Sequence, residues 1–270
     1  EANGFTEHKT TIRSGLPSGT WRKLNYGVQP EKSRTVPIKD SLGMLETYAE
    51  VDKALADLNG NSAAWRLSED RAFIEGLNQT MASTLFYGDS SLDPDKFTGL
   101  TPRYNLLSAE NGINIVDAGG TGSDNASIWL VVWGPNTCHG IYPKGSPAGL
   151  QSRDLGEDTL TDAAGGRYQG YRTHYKWDNG LTLRDWRYVV RIANIDVSDL
   201  TKNAASGGDL IDLLTQAIEL IPNLGMGRPV FYMPRKLRSF LRRQIANKVA
   251  AATLTMEEVA GKKVVAVDGI

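Results

Sequence analysis

The chain has 270 residues, 40% of them hydrophobic and 23% charged, with 30 basic against 31 acidic side chains and a net charge of −1. That is enough apolar material for one large core or two smaller ones, and the missing basic excess argues against a dedicated nucleic-acid binder, whose affinity comes largely from phosphate neutralisation. The longest strongly apolar run, Ile128–Trp133, falls far short of the roughly 20 residues a membrane helix needs, and a lone cysteine, Cys138, excludes an internal disulfide framework and suits a reducing compartment.

The chain starts at Glu1 without a methionine and stops in what reads as mid-turn at Val267-Asp268-Gly269-Ile270, so a segment truncated at both ends is expected. Residues 8–40 alternate basic, β-branched and turn-forming residues, which predicts two or three extended segments joined by Gly/Pro turns. Few large apolar side chains lie there, so the stretch is either a loose arm or a segment that lies on a partner. A first helix is expected at Leu42–Leu58, where Met44, Tyr48, Val51, Leu55 and Leu58 recur at helical spacing before the stop Asn59-Gly60. The second helix is predicted over 69–87, with Ser68 as N-cap, Glu69 and Asp70 in the first turn, and Phe73, Ile74, Leu77, Met81 and Leu85 as its buried stripe.

Between Phe97 and Asp196 the period changes to two. Ile113–Asp117 and Ser127–Trp133 flank the loop 118–125 as a predicted hairpin, and Tyr168–Trp177 and Leu181–Ile195 flank Asn179-Gly180 as a second. In the last strand Trp186, Tyr188, Val190 and Ile192 are expected on one face, with Arg187 and Arg191 on the other. Residues 143–166 read as a long loop, and Lys202–Gly208 as a linker. A helix capped by Asp209 follows, burying Leu210, Leu213, Leu214, Ala217, Ile218 and Ile221. Pro229–Met233 reads as a short strand, and Pro234 sits at the start of a last helix carrying Leu237, Phe240, Leu241 and Ile245.

Candidate chemistry is sparse. Cys138-His139 is a nucleophile and a base side by side, but neighbours in a strand point to opposite faces, so a core thiol beside a surface histidine is the expected reading. Gly119-Gly120-Thr121-Gly122 lacks the Lys-Ser/Thr and the following helix of a phosphate loop. Asp89, Asp93 and Asp95 miss the spacing of a calcium loop, and three scattered histidines with one cysteine make no zinc site. No catalytic, cofactor-binding or metal residues are therefore assigned, and no cofactor is expected. The basic run Arg235, Lys236, Arg238, Arg242, Arg243 and Lys248 is more pointed. It is either a solvated helix face or the seat of an anionic neighbour, whether DNA phosphate or acids on another subunit.

The ordered features resemble one known family. Arg13-Ser14-Gly15-Leu16-Pro17, Trp21-Arg22-Lys23-Leu24-Asn25, Leu45-Glu46-Thr47-Tyr48, the helix 73–89 ending in Phe86-Tyr87-Gly88-Asp89, and Phe97-Thr98-Gly99-Leu100 are similar to tailed-bacteriophage major capsid proteins with the Hong Kong 97-like fold. Gly180–Arg187, Arg191–Asp196 and Pro229-Val230-Phe231-Tyr232-Met233-Pro234 look like podovirus-type coat proteins. The β-rich stretch 97–196 precedes the helix–strand–helix stretch 209–248, which departs from the family's usual order and allows a rearranged strand order.

The resemblance implies an α+β fold with an extended β-arm at 1–41, a peripheral-type domain at 42–200 containing the spine helix 69–87 and antiparallel strands, and an axial-type α/β portion at 201–270. It implies a non-enzymatic subunit that self-assembles into pentamers and hexamers of an icosahedral shell around double-stranded DNA, packaged without sequence reading. Scaffolding, cement and portal proteins are the further partners it implies, with no membrane, and the location is the virion, assembled in the host cytoplasm. Arg13, Trp21, Arg22, Lys23 and Arg34 are the expected subunit contacts, and Arg235, Lys236, Arg238, Arg242 and Arg243 the expected contacts to an anionic partner or subunit. Two rivals stand beside it: an encapsulin-like bacterial nanocompartment shell, and a hydrolase or nucleotide-binding enzyme built on Cys138, His139 or the 118–125 loop.

Overall fold

A computed structural model describes residues 1–15, 17–60, 63–201, 208–247, 254–259, 262–267 and 270. In chain order the elements are β1 (Glu7–Gly15), β2 (Arg34–Asp52), α1 (Lys53–Leu58), α2 (Ala63–Tyr87), β3 (Ile115–Asp117), β4 (Asn125–Trp133), β5 (Cys138–Ile141), β6 (Gln151–Thr161), β7 (Arg167–Leu183), β8 (Val189–Asp196), α3 (Leu210–Glu219), β9 (Arg228–Tyr232), α4 (Arg235–Asn247), β10 (Leu254–Val259) and β11 (Lys262–Val267). The chain divides into two compact units, one of Glu1–Arg103 with Gly140–Thr182 and one of Tyr104–His139 with Leu183–Ile270. Residues 202–207 of the expected linker, and Lys248, lie outside the described residues. Among the described residues no helix is long and apolar enough to cross a membrane.

The first unit is a helix laid on an antiparallel sheet. β1 pairs with β2, β2 with β7, and β7 with β6. The helix expected at 42–58 is not there: every residue from Leu42 to Asp52 pairs with β7, and only Lys53–Leu58 is helical, capped by the Asp52 side chain, which accepts from Ala54 N at 2.7 Å. Met44, 71% exposed, and Tyr48, 50% exposed, lie on the outward face, while Leu45, Thr47, Ala49 and Val51 turn inward. Leu45 to Val51 thus alternates with period two, the signature of a half-buried strand. The Met44-Tyr48-Val51-Leu55 spacing fits a helix only by coincidence with that alternation.

The predicted Asn179-Gly180 turn is likewise replaced by uninterrupted strand. Asn179 pairs with Gly43 and Gly180 with Leu42 inside β7. A Cβ on Gly180 would sit 2.8 Å from both Ser41 O and Leu42 Cδ2, so this glycine permits close strand approach rather than a reversal. The stretch expected as a long loop at 143–166 contains β6, which pairs with β7 over residues 151–161. Its apolar alternation is missing because it lies at an edge with most side chains in water; only Leu160 is fully buried.

α2 begins at Ala63, so Ser68 lies inside the helix rather than capping it. Its 25 residues span about 37 Å. The stripe is as expected in part: Leu77 and Met81 are buried, and Phe73 and Ile74, like Leu45, pack against the cluster of Ala49, Leu77 and Tyr175. Gly88 N bonds to Thr84 O at 2.8 Å and ends the helix, and the chain returns along it through Leu100 N to Leu85 O at 3.0 Å.

Under α2, the buried Tyr175 hydroxyl donates to Asp70 Oδ2 at 3.0 Å. Burial first, and the Asp70 carboxylate second, push this phenol from 10.0 up to about 12. A folded-state pKa above the unfolded one means that the contribution to stability is complete below pH 10 and is lost as the pH rises through about 12. Thermal melts between pH 10 and 12 are expected to show a steeper loss of midpoint in the unsubstituted chain than in Tyr175→Phe. Equal slopes would mean that the phenol does not titrate against the fold.

The second unit has the sheet order β9-β4-β8-β3. The hairpin predicted from Ile113–Asp117 and Ser127–Trp133 does not form. β3 pairs in parallel with β8, β4 pairs antiparallel with it, and β8 lies between them. The 118–125 loop therefore crosses the end of β8, and Gly120 N bonds to Asn194 O at 2.8 Å. Trp186–Tyr188 is a 3-10 turn rather than strand, opened by Asp185 accepting from Arg187 N, whereas Val190 and Ile192 share the buried face as expected. Arg191 lies on the other face, its guanidinium 5.4 Å above the Trp129 ring and donating to Tyr104 O at 2.8 Å.

The helices here match their sequence signals. Asp209 caps α3 by accepting from Ile211 N and Asp212 N. Leu210, Leu214, Ala217 and Ile218 of α3 and Leu237 and Leu241 of α4 close one core with Ile128, Leu130, Val190 and Ile192. The fully buried Gln244 ties α4 to the start of α3, its Oε1 accepting from Leu210 N at 3.2 Å and its Nε2 donating to Gly208 O at 2.7 Å. β9 falls one residue earlier than expected, and β10 and β11 form a separate two-stranded sheet.

Candidate assembly surfaces

The first surface is the hairpin of β1 and β2. The ladder runs from Glu7 opposite Ser41 to Ile12 opposite Val36, then shifts register between Arg13 and Gly15. Its base is tied by Lys9 to Glu7 at 2.9 Å and by the Asn3 side chain, which donates to Lys9 O and accepts from Lys9 N. Beyond the ladder, residues 17–33 form no strand and all are exposed. Local bonds shape the tip: Ser18 N donates to Glu31 Oε2 at 2.7 Å and Tyr26 N to Lys23 O at 3.2 Å. Trp21 is 100% exposed and Leu24 86%, with Tyr26 and Val28 exposed beside them.

Of the residues expected here, Trp21, Arg22 and Lys23 cluster at this tip, and Arg34 opens β2 opposite Gly15. The backbone of Arg13 pairs with Thr35; its side chain lies outside the described residues. Sequence reasoning singled out Trp21 and the cations and overlooked Leu24, Tyr26 and Val28. The signal was present, since four large apolar side chains fall within eight residues that contain no strand or helix pattern. Burying a large side chain contributes about 1.5–3 kcal/mol, so leaving four in water is a surface held ready for a partner.

The second surface is α4. Arg235, Lys236, Arg238, Arg242 and Arg243 are all exposed and fall on one side of the helix, opposite the buried Leu237, Leu241 and Gln244. Arg235, Arg238, Ser239, Arg242 and Arg243 line an open depression of about 360 Å³. Arg243 stacks over Phe240 at 4.9 Å, which holds one guanidinium in place. Among the described residues none of the five cations lies within ion-pair distance of a carboxylate.

That isolation is not general. On the outward face of the first unit's sheet, Arg172 bridges Glu50 at 2.9 Å and Asp158 at 2.8 Å, and Glu46 takes both His174 and Lys176. Burial opposes the ionised Glu46, but those two partners outweigh it and hold its carboxyl below the usual range. Charges that can pair within the chain do so there.

A third, acidic surface was invisible from sequence. Asp196, Asp199, Asp209 and Asp212 line a depression of about 220 Å³ with Gly119 and Gly120. These acids come from the end of β8, the segment after it and the start of α3, so no linear motif joins them. Asp196 is held low in pKa by the Ser198 hydroxyl and amide, and its carboxylate faces that of Asp124 across Gly122.

The enzyme candidates are accounted for locally. Cys138 and His139 are consecutive residues of β5, the first fully buried and the second partly exposed. The 118–125 loop leads into strand β4, not a helix. Asp89 accepts from the Ser91 amide and hydroxyl, and Asp93 pairs with Lys96 at 2.9 Å. Among the described residues no group of His, Cys, Asp and Glu side chains is placed to hold a metal ion.

The sequence pattern of one protein family, described as major capsid protein GP7, matches residues 1–270. Among solved structures, a chain of the cryo-EM structure of bacteriophage Epsilon15 is 42% identical, with 97% of this chain and 79% of that chain covered and a TM-score of 0.67. A chain of the bacteriophage JBD30 capsid is 10% identical, covering 88% and 77%, with a TM-score of 0.49. A chain of the holo-SrpI encapsulin complex from Synechococcus elongatus PCC 7942 is 11% identical, covering 73% and 84%, at 0.48. At those scores the last two add nothing to the assignment. Among curated proteins none matches.

Proposed function

The chain belongs to the major capsid protein GP7 family, and from that premise we propose that it builds a phage shell by laying the tip of its β1–β2 hairpin on a neighbouring copy. It is a bacteriophage capsid subunit with an α+β fold of the Hong Kong 97 type, and its place is the virion shell. The observation that carries the assembly reading is the tip itself, where Trp21, Leu24, Tyr26 and Val28 stand in water on a two-stranded ladder. An extended segment with so little burial of its own cannot offset its ordering entropy alone, so a second copy supplies the burial.

In this reading Trp21 is the apolar anchor and Arg22, Lys23 and Arg34 are polar rim contacts, with Arg13 at the head of the ladder. α2 is the rigid strut, and the segment 205–250 is the α/β portion near a capsomer axis, in pentamers and hexamers. The domain reading that goes with it keeps 1–41 as arm, 42–200 as the peripheral-type part and 201–270 as the axial-type part. Double-stranded DNA is enclosed without sequence reading, in keeping with a net charge of −1. Scaffolding, cement and portal proteins are the partners such a shell would meet, and assembly takes place in the host cytoplasm. The subunit acts by position rather than by catalysis, and needs no cofactor.

The encapsulin-like alternative shares the fold and differs in cargo. Electron microscopy of the purified chain, with its mass in solution, tests the assembly reading. Closed icosahedral particles or rings of five and six copies are the expected result. A monomer at every concentration and salt tried would overturn it, and DNA in particles purified from infected cells separates the phage reading from the nanocompartment one.

A further inference from the structure

Resting on that shell reading, we propose that the arginine face of α4 on one copy docks on the acidic depression of the next copy, lined by Asp196, Asp199 and Asp212, with Asp124 beside Asp196. The two surfaces belong to the same unit of the chain. Neither is neutralised within it: among the described residues, no basic side chain lies within ion-pair distance of those four carboxylates, and no acid lies within that distance of the five α4 cations.

Charge balance and symmetry favour a second copy over other anions as the occupant. The chain carries 30 basic and 31 acidic side chains, so its cations are not in excess, and the unpaired cations of α4 share the chain with the unpaired acids of this depression. A protein whose partner were only DNA would carry basic charge without that counterpart. The depression on α4 is lined by four arginines, whose planar forks take carboxylates in pairs as readily as phosphates. Finally, two different surfaces on one chain that fit each other make a head-to-tail contact, which is the kind that closes into a ring. A self-complementary patch would stop at a dimer.

The acidic carboxylates are available for this role. Asp196 spends one oxygen on Ser198 and keeps the other facing Gly122 and Asp124, and among the described residues Asp212 accepts from Gln216 at 2.6 Å. Asp209 is excluded because it caps α3. Charge-assisted pairs between copies would also set which face meets which, so that only one sense of rotation builds the ring.

The test is a charge swap in the full chain. Arg238→Glu with Arg242→Glu, and separately Asp199→Arg with Asp212→Arg, are each expected to cut the yield of rings and particles at least about tenfold. Combining all four changes in one chain is expected to restore it, whereas mixing the two variants, which must alternate around a head-to-tail ring, is expected to restore only rings with an even number of copies. Circular dichroism melts check that each variant folds; these four side chains are exposed, so folding is expected to persist. Raising salt from about 0.1 M to 1 M, which shortens the screening length from about 10 to 3 Å, is expected to weaken ring formation in the same direction. Normal assembly of the Arg238/Arg242 variant overturns the proposal, as does failure of the swap to rescue. Closed shells of that variant that lose only their DNA overturn it in favour of a phosphate-binding face. If the unsubstituted chain forms no rings or particles, the shell reading has failed and this inference falls with it; if only the variants misbehave from expectation, the shell reading stands.

Discussion

Excising residues 18–31 and closing β1 onto β2 with Asn-Gly is expected to yield a folded subunit that forms no closed shell. The ladder below the tip is independent of it, since Glu7 to Ile12 pair with Val36 to Ser41 and the base is held by Asn3 and Glu7. Every residue of the tip from 17 to 33 is exposed, so none of them is part of a buried core. The melting midpoint of the shortened chain should therefore match that of the full chain. What disappears is the apolar anchor. A fully exposed tryptophan buried on a partner is a common centre of binding energy, and truncating such a residue costs about 2–4 kcal/mol, or roughly 30- to 1,000-fold per contact. A closed shell repeats that contact in every subunit, so the single change Trp21→Ala is expected to raise the concentration needed for assembly by more than tenfold. Arg22→Ala and Lys23→Ala should shift it much less, because exposed rim charges contribute about 0–1 kcal/mol. Sedimentation and particle counts by electron microscopy read both effects. Shells of normal yield from the excised chain would show that the tip is not an assembly element.

The parts of the fold that were legible in sequence are those fixed by near neighbours in the chain. Asp209 caps α3 because its side chain reaches amides two and three residues on, and Pro234 stands at the start of α4 for an equally local reason. The misread parts are those whose identity depends on a distant strand. Met44 and Tyr48 look like a helical stripe until β7 arrives some 130 residues later and takes each residue of 42–52 in register. Gly180 looks like a turn until Leu42 is placed against it. β6 carries almost no pattern, since an edge strand exposed on both faces has little apolar alternation to display. The candidate surfaces divide in the same way. α4 was legible because one helix carries all its cations, whereas Asp124, Asp196, Asp199 and Asp212 come from three separate segments and become neighbours only through the β8 crossing.

The hairpin must also be rooted, and the root makes the largest stability prediction. Asp40 in β2 is 3% exposed, and one of its oxygens accepts from Arg103 Nη2 at 2.8 Å. The same guanidinium donates to Gly99 O at 3.2 Å, Thr98 O at 3.2 Å and Leu181 O at 3.1 Å. One side chain thus joins the hairpin strand, the chain leaving α2 and the end of β7. Arg103→Ala would strand a buried carboxylate and three carbonyls at once, and removing one partner of a buried pair costs about 3–5 kcal/mol. For a chain of this size that lowers the melting midpoint by on the order of 10 °C. Asp40→Asn keeps the size and an accepting oxygen and removes the stranded charge, so its cost is expected nearer 1–2 kcal/mol. Adding Asp40→Asn to Arg103→Ala should then recover part of the loss, which a double-mutant cycle reads directly. A fall of less than about 1 kcal/mol for Arg103→Ala would place the pair in the surface class and remove it as the root of the hairpin. Because the arm transmits its contacts through this joint, the Arg103 variant should assemble poorly below its own melting point, whereas the tip excision should fail to assemble at full stability.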